Sequence, residues 1–301
     1  VTGGSRFAVG PVRVSVPATS ANLGPGFDAL GLALDLRDRL EAEVLDEGLV
    51  VEVDGVGSDD VPRDERHLVV RAMRAAFEEL GVQPPGLRLG CVNVIPHARG
   101  LGSSSAAIVA GVWLARELVA GGRLLLGDEG LLDLAARIEG HPDNVAPALM
   151  GGFVIAGQDA DGTFYAVPSE VDPRIGAVVF VPPEPVSTEL ARGLLPEEVP
   201  HADAALNAGR AALLVAALGG RPEQLLRATA DRLHQDYRRS AMPASLDLVD
   251  ALRADGVPAI VSGAGPTVLA FTDTTDGLLA RCPEGWAAHQ LEVDSRGAVS
   301  W

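Results

Sequence analysis

The sequence predicts an α+β protein organised as two closely associated domains. Strand-like and helix-like segments interleave through both halves rather than segregating. At 301 residues with 47% hydrophobic content, the chain exceeds the size at which one core usually divides. No internal repeat and no low-complexity segment points to a solenoid or a fibre.

Taken in order, Val12, Val14 and Val16 alternate with Arg13 and Ser15, the period of a half-buried strand, which Pro17 is expected to end. Leu49 to Val53 alternates in the same way. From His67 to Leu80 the apolar residues Leu68, Ala72, Ala75, Ala76 and Leu80 recur at helical spacing, and Gly81 closes the helix. A strand from Leu87 to Ile95, a Gly/Ser loop and a helix carrying Ile108, Val112, Ala115, Leu118 and Val119 follow, with a stop at Gly121 and Gly122. A third helix, about Gly130 to Glu139, stops at Gly140 and the turn Pro142-Asp143-Asn144. In the second half Ala177 to Val181 reads as a buried strand. Helices are expected over Ala202–Leu218, Pro222–Tyr237 and Ser245–Asp255. Ala259–Ser262 and Thr267–Phe271 read as strands joined by Gly263-Ala264-Gly265-Pro266. A polar stretch, Gln158 to Gly162, suggests domains of 1–160 and 161–301.

Composition removes several chemistries. All 24 basic residues are arginine, against 41 acidic residues and a net charge of −17. Without lysine there is no usual P-loop, no protein-kinase ATP lysine and no Schiff base. The negative charge disfavours nucleic acid and anionic lipid. No apolar run is long enough to span a bilayer and no leader pattern is evident, so a cytoplasmic location is expected. Cys91 and Cys282 lack metal-ligand spacing and read as thiols in a reducing compartment.

The most informative stretch is Pro96-His97-Ala98-Arg99-Gly100-Leu101-Gly102-Ser103-Ser104-Ser105-Ala106. It leaves a strand, passes two glycines and enters a helix whose first turn is serine. Unpaired first-turn amides at the positive end of the helix dipole form an anion site suited to a nucleotide polyphosphate. Serine hydroxyls there can also reach a magnesium ion, and Arg99 adds charge within the loop.

This loop resembles the phosphate loop of the GHMP small-molecule kinase superfamily. Residues 17–28 (Pro17-Ala18-Thr19-Ser20-Ala21-Asn22-Leu23-Gly24-Pro25-Gly26-Phe27-Asp28) look like the N-terminal signature of its homoserine kinase branch. Glu139-Gly140-His141-Pro142-Asp143-Asn144 resembles that branch's middle motif, and Ser262-Gly263-Ala264-Gly265-Pro266-Thr267 the superfamily's third glycine-rich motif. The four pieces run in the family's order. The resemblance implies a ribosomal-protein-S5-like N-terminal domain that binds ATP and a ferredoxin-like C-terminal domain that completes the substrate site. It also implies ATP-dependent phosphorylation of the side-chain hydroxyl of L-homoserine in threonine biosynthesis, with magnesium, and a homodimer.

On the same match, Asp28 pairs with the substrate ammonium and Asn22 bonds near its hydroxyl. Thr188 and Arg192, from Thr188-Glu189-Leu190-Ala191-Arg192, serve the substrate, as does Arg238 from His234-Gln235-Asp236-Tyr237-Arg238. That last motif departs from the family at Gln235 and Asp236, which leaves Arg239 as a rival. Gly263, Gly265 and Thr267 belong to the third motif. His67 stands where relatives often carry asparagine near the adenine. Guanidinium forks suit an α-carboxylate.

Glu139, in the last turn of a helix, opposes the dipole. Magnesium ligation together with Ser104 would account for it; Asp133 is the rival ligand. Several relatives carry aspartate where this chain has Asn144. An amide accepts no proton at neutral pH, so catalysis is expected to rest on positioning and charge stabilisation without a carboxylate base. Two other readings compete: a kinase for another small alcohol, such as mevalonate or galactose, and a non-catalytic binding member of the fold. One anion and two cations favour an amino acid over a sugar, and the intact loop with its candidate metal acid counts against a non-catalytic role.

Overall fold

The computed structural model describes residues 6–272 and 277–301. The first unit contains β1 (Val12–Ala21), β2 (Leu30–Leu45), β3 (Gly48–Gly55), α1 (Leu68–Glu79), β4 (Gly86–Asn93), α2 (Ser103–Leu118), α3 (Gly122–Leu125), α4 (Asp128–Glu139), α5 (Val145–Met150), β5 (Phe153–Gln158) and β6 (Phe164–Ser169). The second contains β7 (Gly176–Val181), α6 (Thr188–Gly193), α7 (His201–Leu218), α8 (Leu225–Ala228), α9 (Pro243–Ala254), β8 (Ala259–Val261), β9 (Val268–Thr272) and β10 (Ala287–Leu291).

A six-stranded sheet runs in the order β3-β4-β2-β5-β6, with β1 paired along β2. Only β3 and β4 are parallel within it. The central helix α2 packs on β1 and β2 and against α1, α4 and α5. It is buried nearly all round, through Ile108, Val109, Val112, Leu114, Ala115 and Leu118, rather than along one stripe. The second sheet, β10-β7-β9-β8, is antiparallel throughout. Its Val178, Phe180, Val261 and Val268 pack with Leu246, Val249 and Leu252 of α9.

Three differences from the sequence reading bear on the site. β1 does not end at Pro17. The register against β2 shifts between Pro17 and Ala18, so a bulge absorbs the missing N–H and the strand continues to Ala21. The helix expected over Pro222–Tyr237 breaks after α8. The Asp231 carboxylate accepts from the N–H groups of Leu233, His234 and Gln235, which holds the chain in a turn. Finally, a boundary at 160 would cut the β5–β6 hairpin, since β6 belongs to the first sheet and the second begins at Gly176.

The C-terminal stretch returns to the first unit: Val293 bridges Leu34, Val299 bridges Ser15, and Asp294 pairs with Arg37. Among the described residues no helix is long and apolar enough to cross a membrane. Both cysteines are free thiols, Cys91 buried and Cys282 partly so.

Candidate active site

The loop between β4 and α2 is fixed at each end. Asp38 Oδ1 accepts from the N–H groups of Val94 (2.7 Å) and Ile95 (3.0 Å) at its start. Burial pushes the Asp38 carboxyl up to about 6 in spite of these bonds. Ala98, Gly100 and Gly102 then take positive φ, and Gly102 immediately precedes α2. The first amide of the helix to bond back is that of Ala106, to Gly102 O at 2.9 Å. The amides of Ser103, Ser104 and Ser105 precede it and have no helical partner.

Glycine is required twice by close approach. A methyl on Gly102 would overlap Thr19 Oγ1, and one on Gly100 would overlap the Ser262 carbonyl oxygen. The loop is thus wedged between β1 and the third motif. Ser262 Oγ donates to Gly100 O (2.6 Å) and lies 2.8 Å from Ser20 Oγ. Leu101 and Ala106 are buried supports.

Arg99, expected to add positive charge within the loop, is engaged on neutral backbone carbonyls rather than paired with an acid. Its guanidinium donates to the carbonyls of His97 (3.0 Å), Pro182 (3.0 Å) and Pro183, fastening the loop to the end of β7.

Glu139 meets the loop directly. Its Oε1 accepts from Ser104 Oγ (2.6 Å) and Ser105 Oγ (3.0 Å). Its rival Asp133 is occupied elsewhere, accepting from Arg137 Nε (2.9 Å) and from Phe164 N (3.2 Å).

Asn144 lies on the same wall, with its Oδ1 accepting from Thr19 Oγ1 at 2.8 Å. Next to it is a pair that sequence reasoning left without a role: His141 Nδ1 is 2.7 Å from Oδ1 of the buried Asp143. Burial alone would lower the His141 pKa. The hydrogen bond and charge of Asp143, with the charge of Glu139, outweigh burial and hold the imidazole above its ordinary range. His141 lies inside the Glu139–Asn144 motif, so its place in the motif was the available signal.

The opposite wall carries the expected substrate residues. Asn22 reaches the cleft, but its amide is engaged at both ends: Nδ2 donates to Gly263 O (2.9 Å) and Oδ1 accepts from Asp28 N (3.0 Å). Asp28 and Arg192 form a bidentate pair of 2.6 and 3.0 Å. Arg238 is 1% exposed and donates to Ala191 O (3.1 Å) and to His234 Nδ1 (2.9 Å). Arginine can only donate, so His234 Nδ1 is the acceptor and its Nε2–H donates to Gly24 O (2.7 Å). Burial and the charge of Arg192 lower the Arg238 pKa to about 10, which leaves it cationic at neutral pH.

Phe27 lies 5.6 Å from both guanidinium carbons and 5.2 Å from the His234 ring. Arg239 is outside the site, paired with Asp236, Asp247 and Asp250. Gln235, where the motif departs from the family, accepts from Val261 N at 2.6 Å and so supports β8.

These groups surround a cleft of about 310 Å³, lined by Asn22, Gly100, Gly102, Ser103, Ser104, Glu139, His141, Asp143, Asn144, Thr188, Arg192, Arg238, Gly263 and Gly265. Thr267 lies behind it, fully buried, and anchors the loop through its N–H to Arg99 O at 3.2 Å. An adjoining pocket of about 240 Å³ shares Ser103 and Ser104 with the cleft. Its walls include Leu40, Val61, Leu68, Val69 and Ala107, with Asp38, His67, Asn93 and His97 at polar positions. Burial lowers both imidazole pKa values there, and the charge of His97 lowers that of His67 further.

Comparison with known proteins gives the same outline. Residues 67–152 match the GHMP kinases N terminal domain and residues 210–281 the GHMP kinases C terminal domain. A homoserine kinase of Streptomyces avermitilis is 58% identical over 297 residues, covering 98% of this chain and 97% of that one. One from Clavibacter michiganensis is 51% identical, covering 96% and 93%. The crystal structure of homoserine kinase from Cytophaga hutchinsonii superposes with a TM-score of 0.81 at 27% identity, covering 97% of each chain.

Proposed function

The chain belongs to the GHMP kinases, within their homoserine kinase branch, and from that premise we propose how its residues transfer the γ-phosphoryl group of ATP to the side-chain hydroxyl of L-homoserine. The observation that carries the reading is the convergence in one cleft of the helix start at Ser103 and Ser104, Glu139 and two guanidinium groups, Arg192 and Arg238, with the Asp28 carboxylate at its edge, paired to Arg192.

The polyphosphate of ATP takes the serine amides at the start of α2, and its base takes the adjoining apolar pocket. A magnesium ion fits Glu139 with Ser104, since one carboxylate and a hydroxyl are hard oxygen donors that phosphate oxygens can complete. Among the described residues no group of three or more His, Cys, Asp or Glu could hold a metal without such help. When bound there, the ion supplies neutralisation of phosphate charge.

Asp28 receives the homoserine ammonium, while Arg192 and Arg238 receive its carboxylate. Asn144, oriented by Thr19, holds the hydroxyl in line. Asn22 keeps the turn of Asp28 in place, and its second amide N–H bonds near the hydroxyl end of the substrate. An amide takes no proton, so the hydroxyl proton passes to a phosphoryl oxygen or to solvent. The loose transition state of phosphoryl transfer tolerates this.

We assign ATP binding to the six-stranded unit and completion of the substrate site to the second, dividing them after Ser169. A cytoplasmic setting suits ATP as a substrate and the two free thiols. A homodimer rests on kinship with the family, and sedimentation tests it.

ADP release measured with homoserine, threonine, serine, mevalonate and galactose tests the function. Release with homoserine above all others is expected. Release with none would favour a non-catalytic binding protein, and release with mevalonate or galactose would favour a different alcohol kinase.

A further inference from the structure

Asp28 lies in the turn after β1 and Arg192 in the last turn of α6, yet their charges meet fork to fork. Arg192 Nη2 donates to Asp28 Oδ1 at 2.6 Å and Nη1 to Oδ2 at 3.0 Å. Both oxygens of the acid and both terminal nitrogens of the base are committed to one another. On the homoserine reading, on which this inference rests, the same acid is needed for the substrate ammonium and the same guanidinium for its carboxylate. The closed pair can still be met at its edges, since each oxygen keeps a further lone pair and the guanidinium three further N–H groups, but the Nη1–Nη2 fork of Arg192 cannot take the substrate carboxylate end-on until the pair opens.

We propose that the Asp28–Arg192 pair is a selectivity latch opened by exchange of partners. A zwitterion supplies within one molecule a new cation for Asp28 and a new anion for Arg192, so every charge remains matched. A ligand with a single charge mends half of the latch and strands the other half. An anion leaves Asp28 without its guanidinium. An ammonium alcohol leaves Arg192 without its carboxylate, beside the buried cation of Arg238. The Phe27 ring face, 5.6 Å from both guanidinium carbons, offsets that repulsion in part but supplies no anion. Stranding a charge in a half-buried site costs more than the new contact returns.

The latch makes a prediction with a sign that ordinary contact loss cannot give. Dissociation constants are measured by calorimetry for the wild type, Asp28→Asn and Arg192→Gln. The ligands are L-homoserine, 4-hydroxybutyrate, which lacks the ammonium, and 3-amino-1-propanol, which lacks the carboxylate. Asn is the suitable replacement because residue 28 has a φ of 54°, which Asn tolerates.

Asp28→Asn should bind homoserine about tenfold or more weakly, yet bind 4-hydroxybutyrate about threefold or more tightly than the wild type does. Arg192→Gln should show the converse gain for 3-amino-1-propanol, and it stands as an independent test should Asp28→Asn fail to fold. A truncated ligand that binds each variant as weakly as the wild type, more weakly, or undetectably overturns the latch. Homoserine turnover by the wild type without the inversion overturns the latch alone; absence of turnover overturns the functional reading with it.

Discussion

Ser104 donates its hydroxyl to Glu139 Oε1 at 2.6 Å, joining the first turn of α2 to the last residue of α4. An acid at that end of a helix typically costs about 0.3–1 kcal/mol against the dipole. Hydrogen bonds from two serines hold it there, between the proposed phosphate site and the proposed substrate wall.

Glu139→Gln therefore keeps an acceptor for both serines and removes only the charge. Stability should be nearly unchanged, while kcat/KM falls about 100-fold and half-maximal activity needs more free Mg2+. Initial rates across a Mg2+ titration check this. An unaltered Mg2+ dependence would remove Glu139 from the metal site, and Asp133→Asn should leave the dependence as it was.

Gly102→Ala combines a left-handed backbone with overlap at Thr19 Oγ1. It should cost most of the ATP affinity, together with about 1–3 kcal/mol of stability. Gly121→Ala has a similar φ and nothing within 4 Å, so it should cost about 1 kcal/mol of stability and no ATP affinity. Equal effects of the two variants on ATP binding would show that strain, not the wedge against β1, governs the loop.

Asn144→Ala should lower kcat without removing a titrating group, because the amide has none. A limb titrating above the ordinary histidine range is assigned to His141, whose pKa Asp143 and Glu139 raise against the lowering effect of burial. Such a limb should persist in Asn144→Ala and vanish in His141→Gln. Loss of the limb in Asn144→Ala would contradict this division of roles.

Asp38 makes stability fall as pH rises. Its folded pKa of about 6 lies above the ordinary 3.8. The cost of its buried charge is absent below the lower value, grows through the interval and is complete above the higher. About two units correspond to about 3 kcal/mol. Asp38→Asn keeps an oxygen for Val94 and Ile95, so urea unfolding between pH 4 and 6 should lose that slope. A slope equal to the wild type's would show that the charge is not buried at a cost.

Much of the fold is legible because its periods are local. The helices α1, α2 and α9 and the strands β3, β4 and β7 fall within a few residues of where apolar spacing and glycine stops put them. β2 escaped notice although Leu30, Leu32, Leu34, Leu40 and Ala42 alternate inward, because the strand is also rich in the Leu, Ala, Glu and Arg that favour helices. The broken stretch after α8 shows the reverse. Its composition is helical, but Asp231 captures three successive amides and Arg253 takes the Leu226 carbonyl.

The sequence by itself determined the four motifs, their order and the absence of lysine, and with them the proposal of an anion site built from helix amides and serines. Tertiary structure decided which polar groups keep a free end. Arg99 spends its guanidinium on carbonyls of a distant strand end, Asn22 spends one amide N–H on Gly263 and its amide oxygen on Asp28, and Arg238 rather than Arg239 is buried at the cleft. A hydrogen-bonding group serves few partners at once. The partners that compete for Asn22, Arg99 and Arg192 lie 241, 83 and 164 residues away along the chain, beyond the reach of any local pattern.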